Sequence, residues 1–253
     1  MVATPIKSPS IIWEALPSDY ILPDDPVENN HQPLLAAGLT DALQHLIKPE
    51  MLIVSNFGLV ATVNQKIIVK APDWLYVPKV YPKASIGKAG AVRRSYTQNL
   101  EGDPVAVVME FFSDTDGGEL SMRSTPPLGK LYFYEQILQV PTYATFDPYE
   151  SSLEVRCLKN GKYVSQIADA QGRFWIPELE LFLGVWFGDR LGNQIHWLRW
   201  WDISGNLLLW GFEQAELAQQ RANLEHQRAE QERQRADLLA AKLKELGIDP
   251  ESL

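Results

Sequence analysis

The chain has a single cysteine, Cys157, among 253 residues, and one thiol forms neither an intrachain disulfide nor a thiolate metal site. A reducing, cytoplasmic setting is the resulting expectation. No apolar run reaches the roughly 18 residues needed to cross a bilayer, and the N-terminus lacks the charged-then-apolar layout of a signal peptide, so no membrane partner is expected. Positive charge is also scarce. With 32 acids against 23 bases the net charge is −9, which excludes a general polyanion-binding coat and confines any nucleic-acid contact to a local patch. His31, His45, His196 and His226 are scattered, with no spacing suited to zinc. His31, at a helix start, reads as a capping or solvent-facing residue. There is no phosphate-cradling glycine-rich motif and no serine nucleophile elbow. Asp114, Asp116, Gly117, Gly118 and Glu119 superficially suggest a calcium loop. An EF-hand needs Gly sixth and Glu twelfth, where this chain has Glu119 and Thr125, so the segment reads as an acidic loop.

What is present is an ordinary globular composition, long enough for one large domain with an appendage. The composition changes abruptly after Trp210. From residue 213 to 247 there is no proline and the only glycine is Gly247. The triplets Gln220-Arg221-Ala222, Gln227-Arg228-Ala229 and Gln234-Arg235-Ala236 recur at an interval of seven, the repeat of a supercoiled helix. Ala215 and Leu243 extend the register, while the companion positions Ala218, Glu225, Glu232, Leu239 and Leu246 dilute the seam with two charges. Two readings stand for this tail: a solvated charged helix, or a short coiled coil that supports a homodimer. The expected division is a body over 1–212 and a helical tail over 213–253.

The body reads as α/β. Asn30 is a good N-cap and Pro33 sits in the first turn, with Leu34, Leu35, Leu39, Ala42, Leu43, Leu46 and Ile47 at helical spacing, which predicts a helix to about residue 47. Strands are predicted at Met51 to Val54, Gly58 to Val63, Ile67 to Val69, Trp74 to Val77 and Val105 to Phe112. A second helix fits Leu128 to Leu138, followed by a strand at Thr142 to Phe146. A hairpin turning at Asn160-Gly161 and a further strand near Ile195 to Trp200 complete the pattern. Six of the eight tryptophans lie between Trp175 and Trp210 and read as alternately buried residues of a terminal β meander.

The sharpest anomaly is Glu110 within the run Val105 to Phe112, which is otherwise apolar and reads as a central strand covered on both faces. A carboxylate there loses several kcal/mol of hydration unless it is paired or binds a cation. It is therefore either the partner of a buried Lys or Arg, or a metal ligand or general acid/base. Asp73, which opens the run Trp74-Leu75-Tyr76-Val77, is its natural companion on a neighbouring strand. Two carboxylates with one backbone carbonyl make a hard oxygen site suited to Mg²⁺ or Mn²⁺. Between the two acids, Trp74 to Leu100 contains no Asp or Glu but has Lys79, Lys83, Lys88, Arg93 and Arg94. This basic stretch either holds a polyanion beside the acids or is a solvated loop that balances acids elsewhere.

Taken together, Asp73, Val107-Val108-Met109-Glu110-Phe111-Phe112-Ser113, Gly129-Lys130-Leu131-Tyr132-Phe133-Tyr134, Val140-Pro141-Thr142-Tyr143 and Phe146-Asp147-Pro148 resemble the Uma-type family of restriction endonucleases, within the PD-(D/E)XK nuclease superfamily. The resemblance covers about residues 12 to 212, including Leu198-Arg199-Trp200-Trp201-Asp202 and Gly205-Asn206-Leu207-Leu208. It implies a restriction-endonuclease-like mixed sheet flanked by helices, with the β meander and the long helix appended, and Mg²⁺-dependent hydrolysis of DNA, Mn²⁺ serving in its place. Asp73, Glu110 and the Phe111 backbone carbonyl would hold the metal. Lys130 would orient or activate the attacking water, and Lys88, Arg93 and Arg94 would meet the nucleic acid. The superfamily lysine usually sits two residues after the Glu, where this chain has Phe112; in the Uma-type pattern it lies on the following helix, which Lys130 matches. The competing reading is a non-catalytic protein of nuclease fold that binds or scaffolds through its tail.

Overall fold

The apolar and alternating runs become strands, and the two helical patterns become helices, in a computed structural model that describes residues 10–14, 31–82, 93–112, 120–125 and 127–245. In chain order these are β1 (Ile11–Ile12), α1 (His31–Ala42), β2 (Leu52–Val54), β3 (Gly58–Val63), β4 (Lys66–Lys70), β5 (Trp74–Val77), β6 (Ser95–Tyr96) and β7 (Val107–Phe111). Then come α2 (Lys130–Tyr132), which runs on as a π-helix (Phe133–Leu138), β8 (Thr142–Asp147), β9 (Ser152–Lys159), β10 (Lys162–Ser165), β11 (Phe174–Ile176), β12 (Leu181–Arg190), β13 (Asn193–Trp201) and α3 (Gly211–Glu245). Among the described residues the fold is mixed α/β with three sheets. The chain divides into two compact units, Met1–Leu208 and Leu209–Leu253. The acidic loop around Asp114 to Glu119, Asn30, Lys83 and Lys88 lie outside the described residues.

Six strands in the order β10-β9-β8-β7-β5-β2 form the central sheet. Every pairing in it is antiparallel except β7 with β8, the pair joined by α2 and the π-helix. All five residues of β7 are buried, because both faces of the sheet are covered. On one face Val108, Leu75, Val77 and Tyr143 pack with Phe133, Tyr134, Ile137 and Leu138 of the π-helix and with Leu59, Ala61 and Val63 of β3. On the other, Trp74 meets Trp200 of β13, ring centroids 6.0 Å apart, and its indole donates to Thr40 Oγ1 of α1 at 3.0 Å.

Helix α1 ends five residues before the predicted limit, for a reason that lies 161 residues away. The Trp200 indole N–H donates to the Leu39 carbonyl at 3.1 Å, the acceptor that Leu43 N–H would use to continue the helix. Leu43 N–H bonds instead to Thr40 O, and the chain tightens into turns.

The β12–β13 hairpin extends well beyond the predicted strand near Ile195. Gly184 and Gly188 give its first strand the look of a loop, yet they serve as seats for rings. A Cβ at Gly188 would stand 1.9 Å from Trp186, and one at Gly184 3.0 Å from Trp201. The turn is Leu191-Gly192, both at positive φ (55° and 75°), whereas the two other tight hairpin turns carry Asn at the first position, Asn64-Gln65 and Asn160-Gly161. Leucine has no side-chain compensation for the left-handed region.

In the second unit, α3 is a single 35-residue helix, roughly 50 Å long. Glu213 accepts from the Trp210 N–H at 2.7 Å, the N3-to-N-cap bond of a capping box. Leu217, Leu224, Leu238 and Leu239 are exposed. Among the described residues no helix is long and apolar enough to cross a membrane.

Leu191 is 72% exposed, so replacing it relieves backbone strain without opening a cavity. Leu191→Asn is expected to raise stability by about 1 kcal/mol, read as a higher midpoint in urea unfolding with an unchanged slope.

Candidate active site

Glu110 occupies the one polar position of β7 and has no exposed surface. Its carboxyl is gripped at both oxygens: Lys130 Nζ donates to Oε2 at 3.1 Å and the Tyr134 hydroxyl to Oε1 at 2.8 Å. These two donors are four residues apart on one helical segment and therefore share a face. The helix is aimed by its start. Gly129 lies so close to the preceding chain that a Cβ would fall 2.0 Å from Ser121 O, and Tyr132 N–H donates to that same carbonyl at 3.2 Å.

Strand pairing brings the second acid alongside. In the β5–β7 ladder Trp74 faces Met109 and Leu75 faces Val108, and continuing the register by one residue sets Asp73 opposite Glu110 on the same face. Asp73 Oδ2 accepts from Phe111 N–H at 2.5 Å. The Phe111 carbonyl in turn accepts from Gln32 Nε2 of α1 at 2.8 Å. The backbone of Phe111, the residue after Glu110, is thus held at both its N–H and its carbonyl. Across the other edge, Glu110 aligns with Thr145 and Thr145 with Glu154, giving a four-strand row of Asp73, Glu110, Thr145 and Glu154. A cavity of about 240 Å³ lies at the end of this row, lined by Phe112, Thr145 and Ser152 together with Asp147, Glu150 and Glu154.

Burial pushes the Glu110 carboxyl up from the ordinary 4.5 to about 8, with the Asp73 charge adding to the rise and the Lys130 ammonium and the Tyr134 hydroxyl opposing it. The site without a cation thus favours a protonated Glu110 at neutral pH. The two readings open in the sequence, an acid paired with a buried base and an acid of functional use, meet in one arrangement, since the pairing base is Lys130. The Lys130 side chain keeps 23% of its surface exposed and so links the buried carboxyl to solvent.

Asp73, Glu110 and the Phe111 carbonyl offer oxygen only, which is the donor chemistry of a small hard cation. No cluster of three or more His, Cys, Asp or Glu side chains suited to a metal occurs among the described residues, so the carbonyl and water would have to complete any such shell. The basic stretch is partly committed to the fold. Arg93 bonds Glu101 at 2.7 Å and the Tyr81 carbonyl, with its side chain 14% exposed. Arg94 is exposed. His31 lies by Tyr149, ring centroids 6.5 Å apart.

Residues 16–191 match the model of the Uma2 family, described as a putative restriction endonuclease. The chain belongs to the Uma2 family. That match spans seven-tenths of the sequence and includes Asp73, Glu110, Lys130 and Tyr134, and it assigns a nuclease-like function at the level of the family. It stops at Leu191, so the Leu198 to Leu208 pattern and α3 lie beyond the part shared with Uma2. No curated protein matches the chain.

Two residues around Glu110 are not marked by the sequence patterns. Tyr134 belongs to the motif Gly129 to Tyr134 without having been singled out in it, and Gln32 was not singled out. The available signal for Tyr134 was its spacing of four from Lys130.

A buried carboxyl with a raised pKa binds its proton over a pH window in which the unfolded chain has already lost it. Unfolding then releases a proton, and stability falls as pH rises. In EDTA the protein is expected to lose stability between about pH 4.5 and pH 8, and Glu110→Gln to flatten that decline, as measured by urea unfolding at pH 6 and pH 8.5.

Proposed function

We propose that the chain is an endonuclease that hydrolyses phosphodiester bonds in DNA with Mg²⁺, or with Mn²⁺ in its place. The observation that carries this reading is the meeting of Asp73, Glu110 and Lys130 on one face of the sheet, although they lie far apart in sequence. The order of elements supports a restriction-endonuclease-like core: α1, antiparallel β5 and β7, a helical crossover, then β8 parallel to β7.

In this reading Asp73, Glu110 and the Phe111 carbonyl hold the cation, with water in its remaining positions. When bound, it would lower the pKa of an attacking water and neutralise charge on the phosphoryl oxygens. Lys130 donates toward that water or toward the oxygen on which charge grows, from a position already within 3.1 Å of Glu110. Gln32 keeps the Phe111 carbonyl in place. Arg94 and Lys88 meet DNA phosphates and Arg93 braces the same stretch from within. The heptad phase of Ala215, Ala222, Ala229 and Ala236 on α3 supports a homodimer through that helix.

Purified protein should nick or cut DNA with Mg²⁺ or Mn²⁺. Glu110→Gln should lower the rate at least about 100-fold while leaving the circular dichroism spectrum unchanged. Cleavage that persists in a verified Glu110→Gln preparation rejects the site assignment. Deleting residues 213–253 should lower the mass measured by light scattering, and an unchanged mass removes the α3 dimer.

A further inference from the structure

We propose that Tyr134 is a positioning residue for the cation site: its hydroxyl fixes Glu110 Oε1, so that the carboxylate presents a single orientation to the cation. The inference rests on the metal-dependent reading above and adds to it a residue and a role.

Three observations carry it. Tyr134 has no exposed surface, in a layer of core residues where phenylalanine would pack equally well and spare a polar group its hydration. Its neighbour Phe133 is such a residue, with ring centroids 6.0 Å apart. A buried phenol needs an acceptor, and the acceptor of this one is Glu110, at 2.8 Å. The ring is also held from behind, since Tyr134 packs on Tyr143 at 5.5 Å and Tyr143 stacks on Tyr163 at 5.6 Å, a row of three rings that sets the direction of the hydroxyl.

The helix is irregular at this point as well. Lys130 lies in the α-helical turn and Tyr134 in the π-helical segment that begins at Phe133. Wide turns of this kind are uncommon and are often found at functional sites. Here the widened segment carries one of the two donors that reach a single carboxylate.

The two grips differ in kind. Lys130 is charged and partly exposed, and it is the group that exchanges with water or substrate. Tyr134 is neutral, buried and constant. With one oxygen held by the phenol at 2.8 Å, the plane of the carboxylate is set. Outer partners of this sort ordinarily change metal affinity by 10- to 100-fold when removed.

Mn²⁺ binding, followed by electron paramagnetic resonance of the free ion and by calorimetry without DNA, tests the inference on the full chain. Tyr134→Phe should weaken binding about tenfold, and Glu110→Gln should abolish it. Tyr96→Phe removes a hydroxyl outside this row of rings, on a fully buried residue, that donates to the Asp103 carbonyl at 2.5 Å; it should lower stability and leave Mn²⁺ affinity as in the unaltered chain. Equal affinity of Tyr134→Phe and the unaltered chain overturns the positioning role. Failure of the unaltered chain to bind Mn²⁺, or full binding by Glu110→Gln, overturns the underlying metal site, which is a separate result. If Tyr134→Phe does not fold, 3-fluorotyrosine placed at 134 alone keeps the donor and provides a ¹⁹F signal. That signal should shift with Mg²⁺ at the midpoint of binding and stay fixed in Glu110→Gln; no shift in the otherwise unaltered chain overturns the proposal.

Discussion

Burying the Glu110 carboxyl in the middle of β7 costs several kcal/mol unless donors replace the lost water, and much of the surrounding structure answers that requirement. One donor is charged and one neutral, and both come from the helical segment that crosses from β7 to β8. This crossover makes β8 parallel to β7 and brings Thr145 beside Glu110. The close-packed start at Gly129, the π-helical widening and the row of three tyrosine rings all place those two donors. A single apolar substitution at 110 would remove the need for each of them. Their joint presence makes a buried acid tolerable where a hydrophobic side chain would be the more stable solution, and the proposed use of the carboxyl accounts for that cost.

The backbone of Phe111, next to Glu110, is equally over-determined. Asp73 accepts from the Phe111 N–H and Gln32 donates to the Phe111 carbonyl, so α1 and the residue that opens β5 converge on the two successive amides of one β7 residue. Holding the residue at both ends also sets the direction of its carbonyl, whose second lone pair the Gln32 bond leaves available. Such agreement between elements is what pre-organises a site, since the donors need not be gathered when a ligand arrives.

What could be read in the sequence follows a physical divide. The limits of β3 and β5 were readable because each is a short apolar run closed by turn residues, and Glu110 stood out because one acid interrupts such a run. Asp73 followed from strand adjacency. The end of α1 was not readable, because an indole 161 residues away takes the Leu39 carbonyl, and no local pattern encodes that competition. The β12–β13 hairpin was hidden by glycines that exist to admit tryptophan rings and by a leucine in a turn position where Asn is the usual signal. Tyr134 and Gln32 act through hydrogen bonds made across the fold, and in a run of aromatics or before a proline their residue types carry no mark of it.

The charge of the row through Glu110 bears on how an acidic chain meets a polyanion. Asp73 and Glu110 face the same side as Glu154, and the adjoining cavity adds Asp147 and Glu150. Lys130 offsets one of these charges and Arg156, bonded to Glu154, offsets another. Without a cation this face would repel a phosphate, and a protonated Glu110 is the site's own way of shedding one negative charge. A divalent ion between Asp73 and Glu110 would take over that role: it would displace the proton, hold both carboxylates ionised and reverse the local sign of the field. On the proposed reading, then, cation binding and phosphate binding are not independent. On that same reading, the net charge of −9 would keep nucleic acid off the bare surface, and the site would attract a phosphate only once a cation is bound.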